Sequence, residues 1–352
     1  MSAVTDPTDI KLLELMQAAV PVCERPFAEL ARRTGVSEED ALGRVQRLKE
    51  ARVIRQISAI FDTRSLGYAS SLVAARVDPA RVDEAAAVIN RHPGVSHNYL
   101  RNHAFNLWFT IAIAPTSTLG LERTVEILQR QAGAEAMRLL PTLKLYKIGV
   151  QFDLGGDSRP DEVAPPSYTE SQRAVSTALT PAEIEFVRVL QRDLPVTPAP
   201  FAEYARDLGV SLEHLQDLAR RFTEEGKLRR IAAVLHHRNV GFSANAMGVW
   251  RVPGDDAAVD RAGEMMGGLR VVSHCYRRPS YPDWPYNIFT MVHGKNAAAC
   301  EQALRAISEK TGITDYSALY STKEYKKVRV RYFTPEEEAW ERAHAPEAPP
   351  KT

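Results

Sequence analysis

Three short amphipathic runs open the chain. In "DIKLLELMQ", "FAELARRTG" and "SEEDALGRVQRLKEARVI" apolar residues return every three or four positions, which predicts three helices. Ser37 stands where an N-cap belongs, Glu39 and Asp40 suit a first turn, and Gly35 supplies the tight turn before the third helix. "IRQISAIFD" then switches to alternation of period two, as the wing of a winged helix-turn-helix does. Downstream, "SSLVAARV", "VSHNYLRN", "FNLWFTIAI" and "AMRLLPTLKLYKI" alternate as strands, and "VDEAAAVINRH" and "LERTVEILQRQAG" have helical spacing. The order βαββαβ is that of a ferredoxin-like unit, with helices on one face of an antiparallel sheet and the other face open.

The pattern then repeats. "PVCERPFAELARRTGVS", Pro21 to Ser37, aligns without a gap with "PVTPAPFAEYARDLGVS", Pro195 to Ser211. The same offset carries "RQISAIFDTRSLGY" onto "RRIAAVLHHRNVGF", and after small insertions His97 falls on His274 and Asn106 on Asn287. Internal repetition of this length marks a tandem duplication. The fold class is therefore α+β: a winged helix-turn-helix followed by a ferredoxin-like βαββαβ domain, written twice. The expected domains are 1–62 and 63–152, a Gly, Pro and Ser-rich linker at 153–180, then 181–236 and 237–334, with a tail at 335–352.

Alternation also sorts the side chains on the open faces. Phe105, Leu107, Phe109, Ile111 and Ile113 are uniformly apolar and should face the helices, leaving Asn106, Trp108 and Thr110 opposite. His97, Tyr99 and Arg101, two residues apart, share one face, and His274, Tyr276 and Arg278 repeat the pattern. Tyr286, Ile288 and Val292 mark the core side of the next strand, so Asn287, Phe289, Met291 and His293 project the other way. The insertion "PSYPDWP" adds Trp284 as a wall beside the second face. Each single residue also has a plain packing reading, and Trp108, Trp284, Phe289 and Met291 would equally suit a dimer interface.

Composition narrows the classes without choosing one. Of 352 residues, 44% are hydrophobic and 25% charged, as in ordinary globular chains, and no run of about 18 apolar residues could span a bilayer. The N-terminus has no basic segment followed by an apolar stretch, so the expected location is the cytoplasm. Three cysteines without a CxxC pair argue against a disulfide framework and a structural zinc site. A net charge of +1 gives no global bias toward nucleic acid.

A winged helix-turn-helix followed by a ferredoxin-like domain resembles the Lrp/AsnC regulators over nearly all of each half. "SHNYLRNHAFNLWFTI", and above all "SHCYRRPSYPDWPYNIFTMVHG", Ser273 to Gly294, look like signature segments of the siroheme decarboxylases, an Lrp-like family turned to tetrapyrrole chemistry. The first half resembles the NirD-type partner and the second the NirL-type, so the fused chain would be an internal pseudo-dimer, with further homodimerisation left open. The resemblance implies removal of two acetate carboxyl groups from siroheme, giving 12,18-didecarboxysiroheme on the route to heme d1; related proteins serve an alternative heme pathway. It implies siroheme as the partner, no separate cofactor and no metal beyond the substrate's own iron. A large flat ring fringed with carboxylates needs aromatic or methionine faces and arginine or lysine at its rim. On that footing His274 and His97 are candidate acids or axial contacts to the substrate iron, and Arg278 and Arg101 candidate carboxylate holders. Tyr276, Trp284, Tyr286, Asn287, Met291, His237, Arg238, Tyr99, His103, Asn106, Trp108 and Lys326 are the candidate substrate contacts. No residue matches His103 in the second half, which favours that half for the chemistry.

Two other functions fit parts of the pattern. Arg44, Arg47, Lys49, Arg52 and Arg55 would make a basic recognition helix and wing for a DNA-binding regulator, but the matching segment is interrupted by Glu213, Asp217, Glu224 and Glu225. A tetrapyrrole sensor would share the aromatic pocket without needing an acid.

Overall fold

The computed structural model describes residues 6–148, 178–235, 244–294 and 296–345. The expected linker falls outside them apart from its last residues, as do His237 and Arg238.

The chain folds into two compact units that cut across the two halves. One gathers Met1–Tyr68, Ala174–Arg238 and Arg331–Pro335, the other Ala69–Arg173, Asn239–Val330 and Glu336–Thr352. Like modules thus assemble with like.

In the first unit, helices α1 (Pro7–Ala18), α2 (Pro26–Thr34) and α3 (Glu38–Glu50) precede strand β1 (Ile54–Phe61). Ser37 caps α3 by accepting the Asp40 N–H at 3.1 Å, and Gly35 ends α2 at φ +80°, a conformation that favours glycine. β1 is not the wing of a hairpin within its own half. It pairs antiparallel with β7 (Leu228–Leu235), its equivalent in the second half. The Val20 N–H donates to the Ile231 carbonyl and the Leu194 N–H to the Ile57 carbonyl, each at 2.7 Å, so the duplicated modules exchange the same contact twice. Helices α6 (Pro181–Leu190), α7 (Pro200–Leu208) and α8 (Leu212–Glu224) complete the second module.

The second unit holds β2 (Ala69–Arg76), α4 (Val82–Asn90), β3 (Val95–Arg101), β4 (Leu107–Ile113), α5 (Gly120–Ala132), β5 (Ala136–Leu140) and β6 (Lys144–Ile148). From the second half come β8 (Ala244–Trp250), α9 (Asp256–Gly268), β9 (Val272–Arg277), β10 (Ile288–Gly294), α10 (Ala297–Thr311) and β11 (Tyr316–Lys327). The strands order as β5-β2-β4-β3-β11-β8-β10-β9-β6. "AMRLLPTLKLYKI" is therefore two strands, divided after Leu140 by Pro141, which has no N–H for a ladder. β5 stays with β2 of its own half, and β6 crosses to pair with β9 of the other. β11 does the same unbroken: Tyr316 to Tyr320 pair with β8, and Ser321 to Lys327 with β3.

Each half keeps a helix-side core. Val73, Leu107, Phe109 and Ile111 pack under α4 and α5, and Trp250, Val272, Ile288 and Val292 under α9 and α10. A third core, with Ala74, Phe105, Trp108, Met247, Trp284, Phe289 and Leu319, joins the faces that the helices leave open. Phe105 belongs to this inner core and not to the helix side that alternation gave it. Pro335–His344 forms a last helix, α11, whose Trp340 packs on the first half's core.

Candidate functional site

The two sets of His, Tyr and Arg line one cavity of about 810 Å³ within the second unit, inside the range of roughly 300–1,000 Å³ usual for ligand pockets. β3 supplies His97, Tyr99 and Arg101; β9 and the residue after it supply His274, Tyr276 and Arg278. Leu72, Trp108, Met247, Phe289 and Met291 form apolar wall between them.

The arginines set the electrostatics. Arg101 lies over the rings of Tyr99 and Trp108, at 6.0 and 5.9 Å, and its Nη1 donates to the Leu319 carbonyl at 3.1 Å. Arg278 lies over Tyr276 and Phe289, at 4.9 and 5.4 Å, and donates to the Leu140 carbonyl. In both, the buried Nε has no hydrogen-bond partner. Burial pushes each guanidinium down to about 10. A desolvated cation held only by ring faces and one carbonyl is a standing demand for an anion.

The histidines are held as neutral bases. His97 Nδ1 lies 3.0 Å from Ser96 Oγ, and His274 Nδ1 lies 2.9 Å from Ser273 Oγ, leaving Nε2 as the second nitrogen of each ring. Burial lowers both pKa values, with Lys327 adding to the effect at His97 and His293 at His274. Behind Ser273 stands His293, Nε2 at 2.8 Å, whose Nδ1 meets Asn245 Oδ1 at 2.6 Å. Alternation puts His293 on this face, but only the fold brings it to His274.

Several candidates stand elsewhere. Asn106 and Asn287 do not line the cavity. Their amides pin the strand end to the chain beyond β2 and β8, each accepting from and donating to Val77 or Val252 at 2.8 to 3.1 Å. Their own carbonyls accept the N–H of Arg101 and Arg278, at 2.8 and 3.0 Å, so they position the arginines from behind. Trp284 is fully buried, packed against Trp108, Phe105 and Tyr286, and plugs the core where a cavity wall was expected. Tyr286 packs on Trp284 in that inner core, away from the helix side. His103 accepts the Phe105 N–H at 3.0 Å and meets Trp284 edge-on. The insertion is tied down by Asp283, which accepts from Arg138 at 2.8 and 2.9 Å.

Lys326 also points away, donating to the carbonyls of Asn90 and His92 at 2.8 and 3.4 Å. The β11–β3 ladder slips between Ser321 and Lys323 and again between Glu324 and Lys326, so simple alternation fails there. Glu324 and Lys327 pair with Tyr99 and His97, and these two, with Lys323, reach the cavity. Among the described residues no cluster of His, Cys, Asp or Glu could hold a metal ion of the protein's own. No described helix is long and apolar enough to cross a membrane.

Fold and cavity together define an AsnC-like ligand-binding protein, duplicated within one chain. The AsnC-like ligand binding domain matches residues 65–147 and 239–326, and the siroheme decarboxylase NirDL-like HTH domain matches residues 9–55 and 183–229. The chain is 39% identical to the siroheme decarboxylase of Hydrogenobacter thermophilus over 94% of its own length and 96% of the relative's. Its similarity to the siroheme decarboxylase beta subunit of Methanosarcina barkeri is 43% identity over 42% of this chain and 97% of that subunit. The crystal structure of the siroheme decarboxylase NirDL in co-complex with an iron-uroporphyrin III analogue superposes with a TM-score of 0.75 at 34% identity, covering 95% of this chain and 97% of that one. This chain belongs to the siroheme decarboxylase family, in its fused NirDL form.

Proposed function

We propose that this protein is a carboxy-lyase that removes two acetate carboxyl groups of siroheme, giving 12,18-didecarboxysiroheme in heme d1 biosynthesis. Each step breaks one C–C bond, releases carbon dioxide and places a proton on the remaining carbon, so acetate becomes methyl. The reading rests on one observation above the others: two buried guanidiniums without a carboxylate partner among the described residues face one cavity walled by aromatic and methionine side chains. Arg278 and Arg101 hold ring carboxylates by charge-assisted hydrogen bonds, and Tyr99, Tyr276, Trp108 and Met291 meet the macrocycle. Stripping water from an acetate favours the less charged transition state, in which its electrons move into the ring. His274, and His97 on the other wall, deliver the proton from Nε2, each drawing on a proton taken up when the anionic ring binds. The same nitrogen is the one an axial contact to the substrate iron would use, and proton delivery requires it uncommitted.

The DNA-reading alternative loses two of its five cations. Arg44 is spent on Asp9 and Asp40 at 2.7 and 2.8 Å, Lys49 on Asp193 at 2.8 Å, and α3 begins with Glu38, Glu39 and Asp40 where a recognition helix meets bases.

Anaerobic incubation of the purified chain with siroheme, followed by mass spectrometry of the extracted tetrapyrrole, tests the proposal. Successive loss of two carbon dioxide units is expected. Bound but unchanged siroheme would instead make the protein a sensor, and no binding would overturn both tetrapyrrole readings.

A further inference from the structure

The two walls of the cavity are built to the same plan but end differently. In the first half, Ser96 Oγ meets His97 Nδ1 at 3.0 Å and Thr110 Oγ1 at 2.8 Å, and the chain of contacts stops on that hydroxyl. In the second, the Ser273 hydroxyl, which can also donate to the Met291 carbonyl at 3.1 Å, leads from His274 at 2.9 Å to a second imidazole, His293, at 2.8 Å, itself fixed by Asn245. The ladders show what changed: His293 pairs with Asn245 across β10 and β8, and the matching pair across β4 and β2 is Ala112 with Ser70. The first wall has no second titratable group in that place.

From this difference we infer that His293 is the proton reservoir of the second wall, reloading His274 through the Ser273 hydroxyl. The inference rests on the decarboxylase reading of the cavity. Asn245 Oδ1 can only accept, so His293 Nδ1 carries a hydrogen throughout. In the loaded state His293 is an imidazolium whose Nε2–H donates to Ser273 Oγ. The serine hydroxyl donates to His274 Nδ1, and His274 keeps its hydrogen on Nε2 for the substrate. When that hydrogen passes to the carbon left by carbon dioxide, the serine proton moves to His274 Nδ1 and the His293 Nε2 proton moves to the serine. The end state has two neutral rings, with His274 Nδ1–H donating to Ser273 Oγ and the serine hydroxyl donating to His293 Nε2. All three contacts survive in both states: the two made by Ser273 reverse direction, and His293 Nδ1 donates to Asn245 in both. One proton is consumed for each bond broken, and no oxidant or reductant takes part.

The surroundings disfavour a charge on His293 until an anion enters the cavity. β9 faces His293 with His274, and on the same cavity wall lie Tyr276 and Arg278, while β8 contributes Asn245. β11 brings Lys323, Glu324 and Lys327 to the cavity, and Lys323 is already paired with Asp83 at 2.8 Å. Burial opposes a charge on His293 in the empty cavity, and a bound polyanionic ring counters it, so loading accompanies substrate binding.

His293 acts through His274 and is in that sense a positioning residue, which two variants test. His293→Gln keeps a hydrogen-bonding group for Ser273 but cannot carry a proton; His293→Ala puts here the residue type that the first wall has at Ala112. Siroheme binding, followed by its absorption, is expected to persist in the Gln variant and to weaken by no more than about tenfold, the share that His293 protonation adds. Single-turnover decarboxylation should fall by about tenfold or more in both variants at neutral pH. The deficit should shrink as pH falls and bulk acid loads His274 directly, so the variants' rate profile rises toward acid where the wild type's does not. Wild-type rates in His293→Gln, or a parallel loss at every pH, would show that His293 only supports the fold and overturns the inference. A wild-type chain that leaves siroheme intact overturns the decarboxylase reading instead, and this inference with it.

Discussion

Arg101 and Arg278 carry a conflict that the rest of the cavity does not. Each is charged, buried and without a partner anion among the described residues, so the empty protein bears a cost that only a ligand relieves. Replacing Arg278 with methionine, which is apolar and similar in reach, should separate stability from binding. The ligand-free variant is expected to resist denaturant as well as the wild type or better, by about 1 kcal/mol. Its siroheme affinity should fall by about 10- to 100-fold, the worth of a hydrogen-bonded charge. Urea titration and absorption titration on the same preparation check this, and a loss of both properties together would mean that Arg278 holds the fold. At this scale the sequence was informative where spacing alone decides direction. His97, Tyr99 and Arg101 alternate along one regular strand, and the structure puts all three on the cavity. Asn106 and Asn287 share the register of that face, yet their amides turn back to the main chain of Val77 and Val252, a choice alternation does not encode. Trp284 was equally opaque, because a Pro-rich insertion has no period from which to read a direction.

Between elements, the exchange of strands between the halves builds the site. β6 is an edge strand from the first half, and its Ile148 pairs with His274 on β9. Tyr146 Oη donates to Asp260 on α9 at 2.5 Å, and Lys144 Nζ reaches the same carboxylate at 2.9 Å. The other exchange repeats the device, with Tyr325 and Lys323 of β11 on Asp83 of α4. α9 can lie so close to β6 only because it lacks side chains there: a Cβ on Gly263 would stand 2.2 Å from the Tyr146 ring, and one on Gly267 3.0 Å from Tyr146 Cβ. Gly263→Ala must therefore push β6 off its helix. The expected cost is about 1–3 kcal/mol of stability. Faster amide exchange should appear in β6 and β9, with weaker siroheme binding because the strand carrying His274 loses its neighbour. Unchanged protection of β6 would show that Tyr146 finds another place without moving the strand. Hydrophobic period gave the first-half strands and helices of this unit nearly to their ends, as with β3, expected at 95–102 and found at Val95–Arg101. It could not give their partners. A strand's alternation is the same whether it pairs within its half or across, and for that reason β1 read as a wing and "AMRLLPTLKLYKI" as one strand.

The whole second unit carries a pH dependence from the way its histidines are buried. Burial is the leading cause that lowers the pKa of His92, His97, His103, His274 and His293, so each is neutral when folded at pH 7. His92 is the extreme case. It is 4% exposed, accepts the Gly94 N–H on Nδ1 at 3.0 Å, and packs edge-on to Trp340 of α11 at 4.4 Å. Burial, with Lys326 and His344 nearby, pushes it down to about 3. Unfolded, the same ring takes up a proton at about 6.5. The unfolded chain therefore binds more protons than the folded one between those two values, and stability falls as the pH drops through 6.5 toward 3. From pH 7 to pH 5 this one group should remove about 2 kcal/mol, and the other four act in the same direction. His92→Asn retains an acceptor for the Gly94 N–H and deletes the titration. It is expected to be less stable than the wild type at pH 7, having lost its packing on Trp340, but to lose less between pH 7 and pH 5 when both proteins are unfolded in urea. An equal loss in the two proteins would show that His92 becomes protonated without opening the fold. Bound siroheme should blunt the part of the acid loss that comes from His97, His274 and His293, because its carboxylates favour their charged forms, and leave the His92 part untouched on the far side of the sheet.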